Sequence, residues 1–375
     1  FEAALAASYG PFIVNAKVMK EHEDNGDWGH GWAQTNAVGT GTGPYKITSF
    51  DTAQQLSMEK YDGYWGGWDG AHFDKVQLRA VPEESTRRQL LEQGDADIVD
   101  TLTPEDITAL KSNAKLTIQE NKSTEVVYFV MTEYGPLEKA EARQAMCYAF
   151  PYDDVLQGVY GGYATQPAGG VAELCRGFAP GTFKYTTDLN KAKQLFTQAG
   201  VADGTTIHMA IETSIEQTKS VAQLLQANLA KININLSIDT MDATALISLA
   251  YSAAPADQRP NRTANFWWPD YNDAWNHLYP QIDSASWGSK GSNTGLYKND
   301  QVDQLLATAK DAPDDKTYND AMAKVQEIIS KDDPPSIYYA QPEWVVVFQK
   351  NVQGVIFNPI NIGTYNFHKM SRSAS

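Results

Sequence analysis

The sequence predicts an α/β protein, and three patterns lead to that prediction. From residue 76 onward, short alternating apolar runs typical of strands are followed by amphipathic runs that begin and end with helix-capping residues. The segment from Ile232 to Ile238 alternates strictly between apolar and polar residues, which indicates a half-buried strand. A passage rich in glycine and proline, residues 151–180, predicts a boundary between two lobes.

The composition is that of an ordinary globular chain and excludes several classes of function. Hydrophobic residues make up 42% of the 375 residues, and the formal net charge is −16. The sequence has no basic stripe, which disfavours nucleic acid as a partner. No apolar run reaches the roughly 20 residues that a membrane span needs. Two cysteines, Cys147 and Cys175, are too few for a disulfide scaffold, and whether they pair stays open at this point.

The N-terminal third predicts a small hairpin followed by the first α/β elements. After a short helix at Glu2–Ser8, Gly39, Gly41 and Gly43 stand at alternate positions, which invites comparison with a phosphate-binding loop. No Lys-Ser/Thr pair follows them, and Pro44 with the alternating residues beyond it indicates a strand. The glycines therefore predict a turn that leads into a hairpin. The predicted strands up to residue 131 are at 45–47, 56–60, 76–81, 96–100, 116–119 and 126–131, and the helices are at 85–93 and from Thr103-Pro104.

The rest of the chain continues the same alternation. The predicted helices are 138–150, 188–199, 215–231, 243–251, 300–310 and 315–331, and the predicted strands are 206–211, 232–238, 336–339, 344–348 and 352–357. Glycines just past two of the helices, Gly94 and Gly200, are the expected C-terminal stops.

The stretch from Phe266 to Tyr279, FWWPDYNDAWNHLY, is the strongest candidate for a binding site. Its aromatic residues predict a strand at 266–268, and Pro-Asp-Tyr-Asn-Asp then predicts a turn before a helix that begins near Asp273. Large aromatic side chains with a few polar groups among them are typical of ligand pockets. A core strand followed by an aspartate helix cap is the structural alternative.

Motifs for catalysis or metal binding are absent from the sequence. It contains no GxSxG, HExxH or CxxC motif, and no pair of its six histidines has helical ligand spacing. Carboxylates are numerous, but nothing selects one pair for acid–base chemistry. We therefore expect a protein that is not an enzyme and has no cofactor and no metal site.

Several motifs together resemble the family 5 extracellular solute-binding proteins, which are the dipeptide-, oligopeptide- and nickel-binding components of ABC importers. No single motif is specific, but their order along nearly the whole chain is that of the family. They are GTGPYKI from Gly41 with YWGG from Tyr64, RQLLEQGDAD from Arg88, ARQAMCYAF from Ala142, the helix at 188–200, the helix and strand at 225–234, VD at Val302 with the two helices there, and PPSIYY from Pro334.

The resemblance implies a two-lobed α/β fold of the periplasmic-binding-protein type, cluster C, with lobes joined by a hinge that close over a ligand. Lobe I would comprise residues 1–150 plus 345–375, and lobe II residues 151–344. Family members have a longer portion before the motif at Gly41, so the resemblance implies that this chain lacks an N-terminal portion. We then expect lobe I to expose apolar surface.

The resemblance also implies a function and a site. The chain would capture a peptide in the periplasm or outside the cell and pass it to ABC permease subunits, contacting the membrane only through the permease or a lipid anchor. Asp270 occupies the position at which peptide-binding members hold the α-ammonium group of the ligand. Trp267, Trp268 and Tyr271 would line the pocket, whereas Asp273 is expected to cap the following helix.

Four further aromatic residues are candidate ligand contacts of lower rank. Tyr160 and Tyr163 flank two glycines where the family has a loop between the lobes, and Trp28 and Trp32 correspond to the pocket wall. Nine tryptophans also suit the binding of cello-oligosaccharides, as in some members, and opines or a nickel chelate are further alternatives. A truncated remnant that binds nothing is the alternative outside ligand binding.

Overall fold

The computed structural model describes residues 5, 7, 12–36, 40–51, 53–252, 255–258, 264–287 and 290–373. The helix expected at Glu2–Ser8 lies almost entirely outside these residues. The chain separates into two compact units: unit 1 is Phe1–Asn121 with Trp344–Ser375, and unit 2 is Lys122–Glu343. No helix within the described ranges is both long and apolar enough to cross a membrane.

Unit 1 is built on an antiparallel three-stranded sheet. Its strands are β1 (Tyr45–Asp51), β2 (Gln55–Lys60) and β3 (Lys75–Arg79), paired in that order. The prediction of a hairpin after the alternating glycines is confirmed, because β1 begins directly beyond Pro44 and no helix follows.

Short helices and strands complete unit 1. The helices are α1 (Ala16–Glu21), α2 (His30–Ala33), α3 (Glu84–Gln93) and α4 (Pro104–Leu110). The strands are β4 (Ile98–Val99), β5 (Leu116–Lys122, which ends in unit 2), β12 (Val352–Gln353) and β13 (Ser371–Arg372). Thr103 caps α4 through its hydroxyl, and Gly94 ends α3 with φ 82°. Both local predictions are therefore confirmed.

Unit 1 has a small core and exposes several large apolar side chains. Val346, Phe348, Val352 and Met370 form the core cluster, while Trp65 and Phe50 are 82% and 56% exposed. A cavity of about 660 Å³ lies between β3, α3 and the C-terminal segment. This cavity contains none of the residues predicted for the binding site.

Unit 2 holds a sheet with helices on both faces. The strands are β6 (Val126–Val130), β7 (Ala164–Thr165), β10 (Ala264–Trp267) and the first half of β11 (Ser336–Gln349). Strands β6 and β7 both pair with β11, and β10 pairs with the other edge of β6. A separate parallel pair, β8 (Thr206–Glu212) and β9 (Asn235–Met241), is connected through α7 (Glu216–Ala230). The other helices are α5 (Ala140–Ala149), α6 (Leu189–Ala199), α8 (Ala243–Ala250), α9 (Ala274–Ile282), α10 (Asp300–Lys310) and α11 (Asp315–Glu327).

Two apolar clusters cover the two faces of this sheet. Phe129, Phe150 and Tyr339 belong to the first cluster, and Tyr128 and Tyr338 to the second, because successive residues of a strand point to opposite faces. Burying a side chain such as Phe129 completely stabilises the fold by about 1.5–3 kcal/mol. Cys147 lies in the first cluster and Cys175 in the second, and both thiols are free.

The structure differs from the sequence-based expectations at three places. Residues 336–349 form one strand. Pro342 within it has no backbone N–H to donate, but its carbonyl oxygen accepts a hydrogen bond from the Ser123 hydroxyl. Strand β9 begins at Asn235 because Asn233, with φ 62°, turns the chain just before it. Residues 122–150 belong to unit 2 rather than to lobe I, since β6 pairs with β10 and α5 packs against α6.

Candidate functional site

The aromatic stretch forms the strand, turn and helix that its sequence predicts. Strand β10 ends at Trp267, residues 268–273 form the turn, and α9 begins at Ala274. Asp273 is the N-cap of α9 and accepts the backbone N–H of Trp275 at 2.8 Å. The prediction that Asp273 caps this helix is therefore confirmed.

Asp273 also belongs to a polar network that fixes the start of α9. The guanidinium of Arg176 lies 2.9 Å from one of its carboxylate oxygens, and the hydroxyl of Tyr318 donates to the other at 2.5 Å. The Arg176 guanidinium stacks over the Tyr318 ring, 4.0 Å from its centroid. The N-terminal turn of α9 is thus tied to α11 and to the loop that carries Arg176.

Asp270 is held by a side chain from α9. The backbone N–H of Asp270 donates to the Asn276 side-chain oxygen at 2.6 Å, and the Asn276 amide donates to the Asp270 carboxylate at 3.2 Å. Asp270 is half-buried, and among the described residues its carboxylate has no ion-pair partner. Buried Asn276 thereby fixes the orientation of a carboxylate whose charge has no cation beside it.

Tyr271 shares this environment. Its side chain is half-buried, and burial, followed by the negative charges of Asp273 and Asp270, raises the pKa of its hydroxyl. The Asn276 side chain, which holds Asp270, opposes this rise in the pKa of Tyr271, so Asn276 acts on two of the residues predicted for the site. Sequence analysis missed Asn276, because only the helical turn of α9 brings it back to the loop six residues before it.

Trp267 and Trp268 lie on opposite faces of the sheet. Trp267 packs against the second apolar cluster, and its indole N–H has no hydrogen-bond partner among the described residues. Trp268 stacks on Phe266 with ring centroids 5.3 Å apart and an interplanar angle of 16°. Of the two tryptophans, only Trp268 therefore lies on the same face of the sheet as Phe266 and its paired residue Val127.

The strand register places Tyr163 and Glu125 at the same end of the sheet as Trp268. The last β10 pair joins Trp267 to Val126, so Trp268, the first residue of the turn, and Glu125, just before β6, both adjoin that pair at the same end of the sheet. On the other side of β6, Pro342 pairs with Ala164, and the backbone N–H of Glu343 donates to the carbonyl of Tyr163 at 2.8 Å. We call this end of the sheet, defined by Glu125, Ala164, Trp268 and Pro342, the Glu125 edge.

Tyr160 is buried behind this edge in the first apolar cluster. Its hydroxyl hydrogen-bonds to that of Tyr339, and burial raises the pKa of both groups. The negative charge of Glu125 raises both pKa values further. Tyr160, Tyr163, Trp268, Asp270 and Tyr271 thus belong to one end of unit 2.

Trp28 and Trp32 lie in unit 1. Trp28 is 68% exposed and has φ 56°, and Trp32 on α2 stacks on His22 with ring centroids 4.1 Å apart. Their predicted role in ligand binding stays a prediction.

The histidine of the aromatic stretch does not favour a metal site. His277 is completely buried, and its Nε2 lies 3.2 Å from the Thr124 carbonyl oxygen, so this nitrogen is engaged by the backbone. Across the described ranges, no group of three or more His, Cys, Asp or Glu side chains is arranged to hold a metal ion.

Comparison with known proteins agrees with this architecture. The probable D,D-dipeptide-binding periplasmic protein DdpA of Escherichia coli K12 is 26% identical over 98% of this chain and 68% of its own length. The glutathione-binding protein GsiB of Pectobacterium atrosepticum is 27% identical over 85% of this chain and 62% of its own length. This chain therefore spans roughly two thirds of the length of these relatives.

The fold is shared with solved structures of the same kind. The periplasmic binding protein DppA of Helicobacter pylori, solved in complex with the peptide STSA, matches with a TM-score of 0.81 at 24% identity, over 96% of this chain and 67% of its own. The resemblance inferred from the sequence motifs and the two-lobed α/β fold are thereby confirmed. Residues 2–289 match the model of the bacterial extracellular solute-binding proteins, family 5 Middle, and the chain belongs to this family.

Proposed function

We propose that this chain is the ligand-capturing component of an ABC importer, that it acts in the periplasm or outside the cell, and that its ligand is a peptide whose α-ammonium group binds Asp270. The observation that carries the proposal is the half-buried Asp270 carboxylate, oriented by Asn276 and free of any ion pair among the described residues. A carboxylate withdrawn from water is costly unless a cation meets it, and a ligand ammonium group supplies that cation.

The names of the curated relatives support a peptide rather than a sugar. The two curated relatives are named for binding a dipeptide and glutathione, and the solved neighbour holds a peptide. The proposed function requires binding and release without a catalytic step, and membership in the family supports delivery of the ligand to permease subunits.

The Asp270→Asn variant tests the site directly. Asparagine keeps the size of the side chain and an oxygen for Asn276 but removes the charge, so we expect the affinity for a dipeptide with a free amino terminus to fall about tenfold to a hundredfold. Isothermal titration of wild type and variant measures this change. Acetylating the ligand's amino group should cause a similar loss with wild type and little further loss with Asp270→Asn.

The matched control is Asp239→Asn, which neutralises an exposed carboxylate on β9. This control should bind the peptide as tightly as wild type does. Equal affinity of wild type and Asp270→Asn for the free peptide would refute the role of Asp270. If cello-oligosaccharides bind and peptides do not, the ligand class proposed here is wrong.

The Asn276→Ala variant tests whether Asn276 positions Asp270. Losing both hydrogen bonds to Asp270 allows the carboxylate to turn away, so we expect a loss of about tenfold in affinity for the free peptide. The affinity for the N-acetylated peptide should not change, because that ligand has no ammonium group for Asp270. Equal losses for both peptides would instead indicate general disorder of the turn at residues 268–273.

A further inference from the structure

Glu125 is a second carboxylate at the same end of unit 2 that no sequence motif singled out. It lies in the short connection between β5 and β6, one residue before Val126. Its backbone N–H donates to the Ser123 hydroxyl at 3.2 Å, which fixes this connection, and its side chain is half-buried.

The strand register sets the face to which the Glu125 side chain points. Val127 and Phe129 belong to the first apolar cluster, and alternation along the strand places Glu125 on their side. Phe266 pairs with Val127, and the Trp268 ring stacks on Phe266, so Trp268 lies on this face as well. The Glu125 side chain therefore lies on the face of the sheet that also holds Tyr160 and Tyr339, and its negative charge raises the pKa of both hydroxyls.

The charge of Glu125 is not balanced by a protein cation. Burial alone raises the pKa of its carboxyl group to about 7, and no positive group among the described residues lowers it. The titratable groups that face it are the Tyr160 and Tyr339 hydroxyls, which bond to each other and are neutral near pH 7. Lys122, three residues before it, is exposed and paired with Glu173 at 2.6 Å.

We propose that Glu125 is a ligand contact that selects peptides carrying a second cationic group, such as a lysine side chain, in addition to the α-ammonium group. This inference rests on the proposed function, because it assigns Glu125 to the site that contains Asp270. Glu125 directly precedes Val126, which pairs with Trp267, and Asp270 follows Trp267 by three residues, so both carboxylates belong to the same end of the β6–β10 pair. A peptide with a second cation on a flexible aliphatic side chain can meet both carboxylates at this end of unit 2, because such a side chain reaches beyond the α-ammonium group.

The test compares a lysine-containing dipeptide with the same dipeptide containing norleucine, which has a similar aliphatic chain without the amino group. We expect wild type at about pH 8 to bind the lysine peptide at least about tenfold more tightly than the norleucine peptide. Near pH 5.5 the carboxyl group of Glu125 is mostly protonated, so the preference should shrink to about twofold.

The Glu125→Gln variant should lose the lysine preference at both pH values while keeping its affinity for the norleucine peptide. Glu173→Gln, which alters an exposed carboxylate in the same part of unit 2, serves as the matched control and should keep the wild-type preference. In the absence of ligand, Glu125→Gln should melt at a higher temperature than wild type at about pH 8, because it removes a buried charge.

The outcomes separate this inference from the proposed function. Suppose that Asp270→Asn weakens the binding of both peptides. If wild type then shows no preference for the lysine peptide, or if Glu125→Gln keeps that preference, Glu125 is no ligand contact and the proposed function stands. If wild type binds neither peptide, or Asp270→Asn changes nothing, the proposed function fails and this inference fails with it.

Discussion

Replacing Arg143 with alanine is expected to lower the free energy of unfolding of unit 2 by about 3–5 kcal/mol. The Arg143 side chain is 3% exposed and contacts the carboxylates of both Glu133 and Asp333. It also donates to the backbone carbonyls of Leu137, Glu138 and Pro334. Removing the guanidinium takes one donor from each of two carboxylates and three carbonyl oxygens, although Asn299 still donates to Asp333 and the backbone N–H of Lys298 to Glu133.

Chemical denaturation of wild type and Arg143→Ala, followed by tryptophan fluorescence, measures the loss. Adding Glu133→Gln to the variant should recover part of it, because burial already raises the pKa of Glu133 to about 7 even with Arg143 beside it. The control is Lys122→Ala, which breaks the exposed pair with Glu173 and should change stability far less. Thermal unfolding of the same two proteins is an independent check. A melting temperature of Arg143→Ala within a few degrees of wild type would show that the Arg143 contacts do not stabilise unit 2.

His277 is expected to make the protein less stable as the pH falls from about 6.5 to about 4. Burial lowers the pKa of its imidazole from 6.5 to about 4, so in this range the unfolded chain binds a proton that the folded chain excludes. Because the pKa of His277 is lower in the folded chain than in the unfolded chain, the free energy of unfolding is highest above pH 6.5. It decreases on acidification, as the unfolded chain takes up a proton on this histidine. The shift corresponds to about 3 kcal/mol.

The measurement is the free energy of unfolding as a function of pH for wild type and His277→Gln. Glutamine can still donate to the Thr124 carbonyl but does not titrate, so the difference between the two curves isolates the histidine. His208→Gln, at an exposed position on β8, should leave the wild-type curve unchanged. Parallel curves for wild type and His277→Gln would contradict the prediction.

The helix ends could be predicted from the sequence because their causes are local. Asp188 accepts the backbone N–H of Lys191, Asp273 accepts that of Trp275, and Gly200 ends α6 with φ 84°. Each of these interactions spans at most three residues, so it forms wherever the residues occur in that order. The same reasoning predicted that Asp273 is a structural cap.

The long strand and the boundary between the units could not be predicted in this way. Pro342 argues against a continuous strand at 336–349 when only its own sequence is considered. The strand is continuous because Ala164 and the Ser123 hydroxyl approach it from distant parts of the chain. Residues 122–150 join unit 2 for a similar reason, because their partners lie on β10, β11 and α6.

The sequence by itself determined the family and the α/β class, and it pointed to Asp270 as the proposed ligand carboxylate. These conclusions follow from local residue patterns and from the order of the motifs along the chain, so they do not depend on contacts between distant residues. The tertiary structure decided which face of the sheet each tryptophan occupies, that Asn276 returns to hold Asp270, and that Glu125 and Trp268 adjoin the same end of the sheet. Those relations depend on strand register and on a helical turn, and a shift of one residue would reverse the faces of every side chain in the strand.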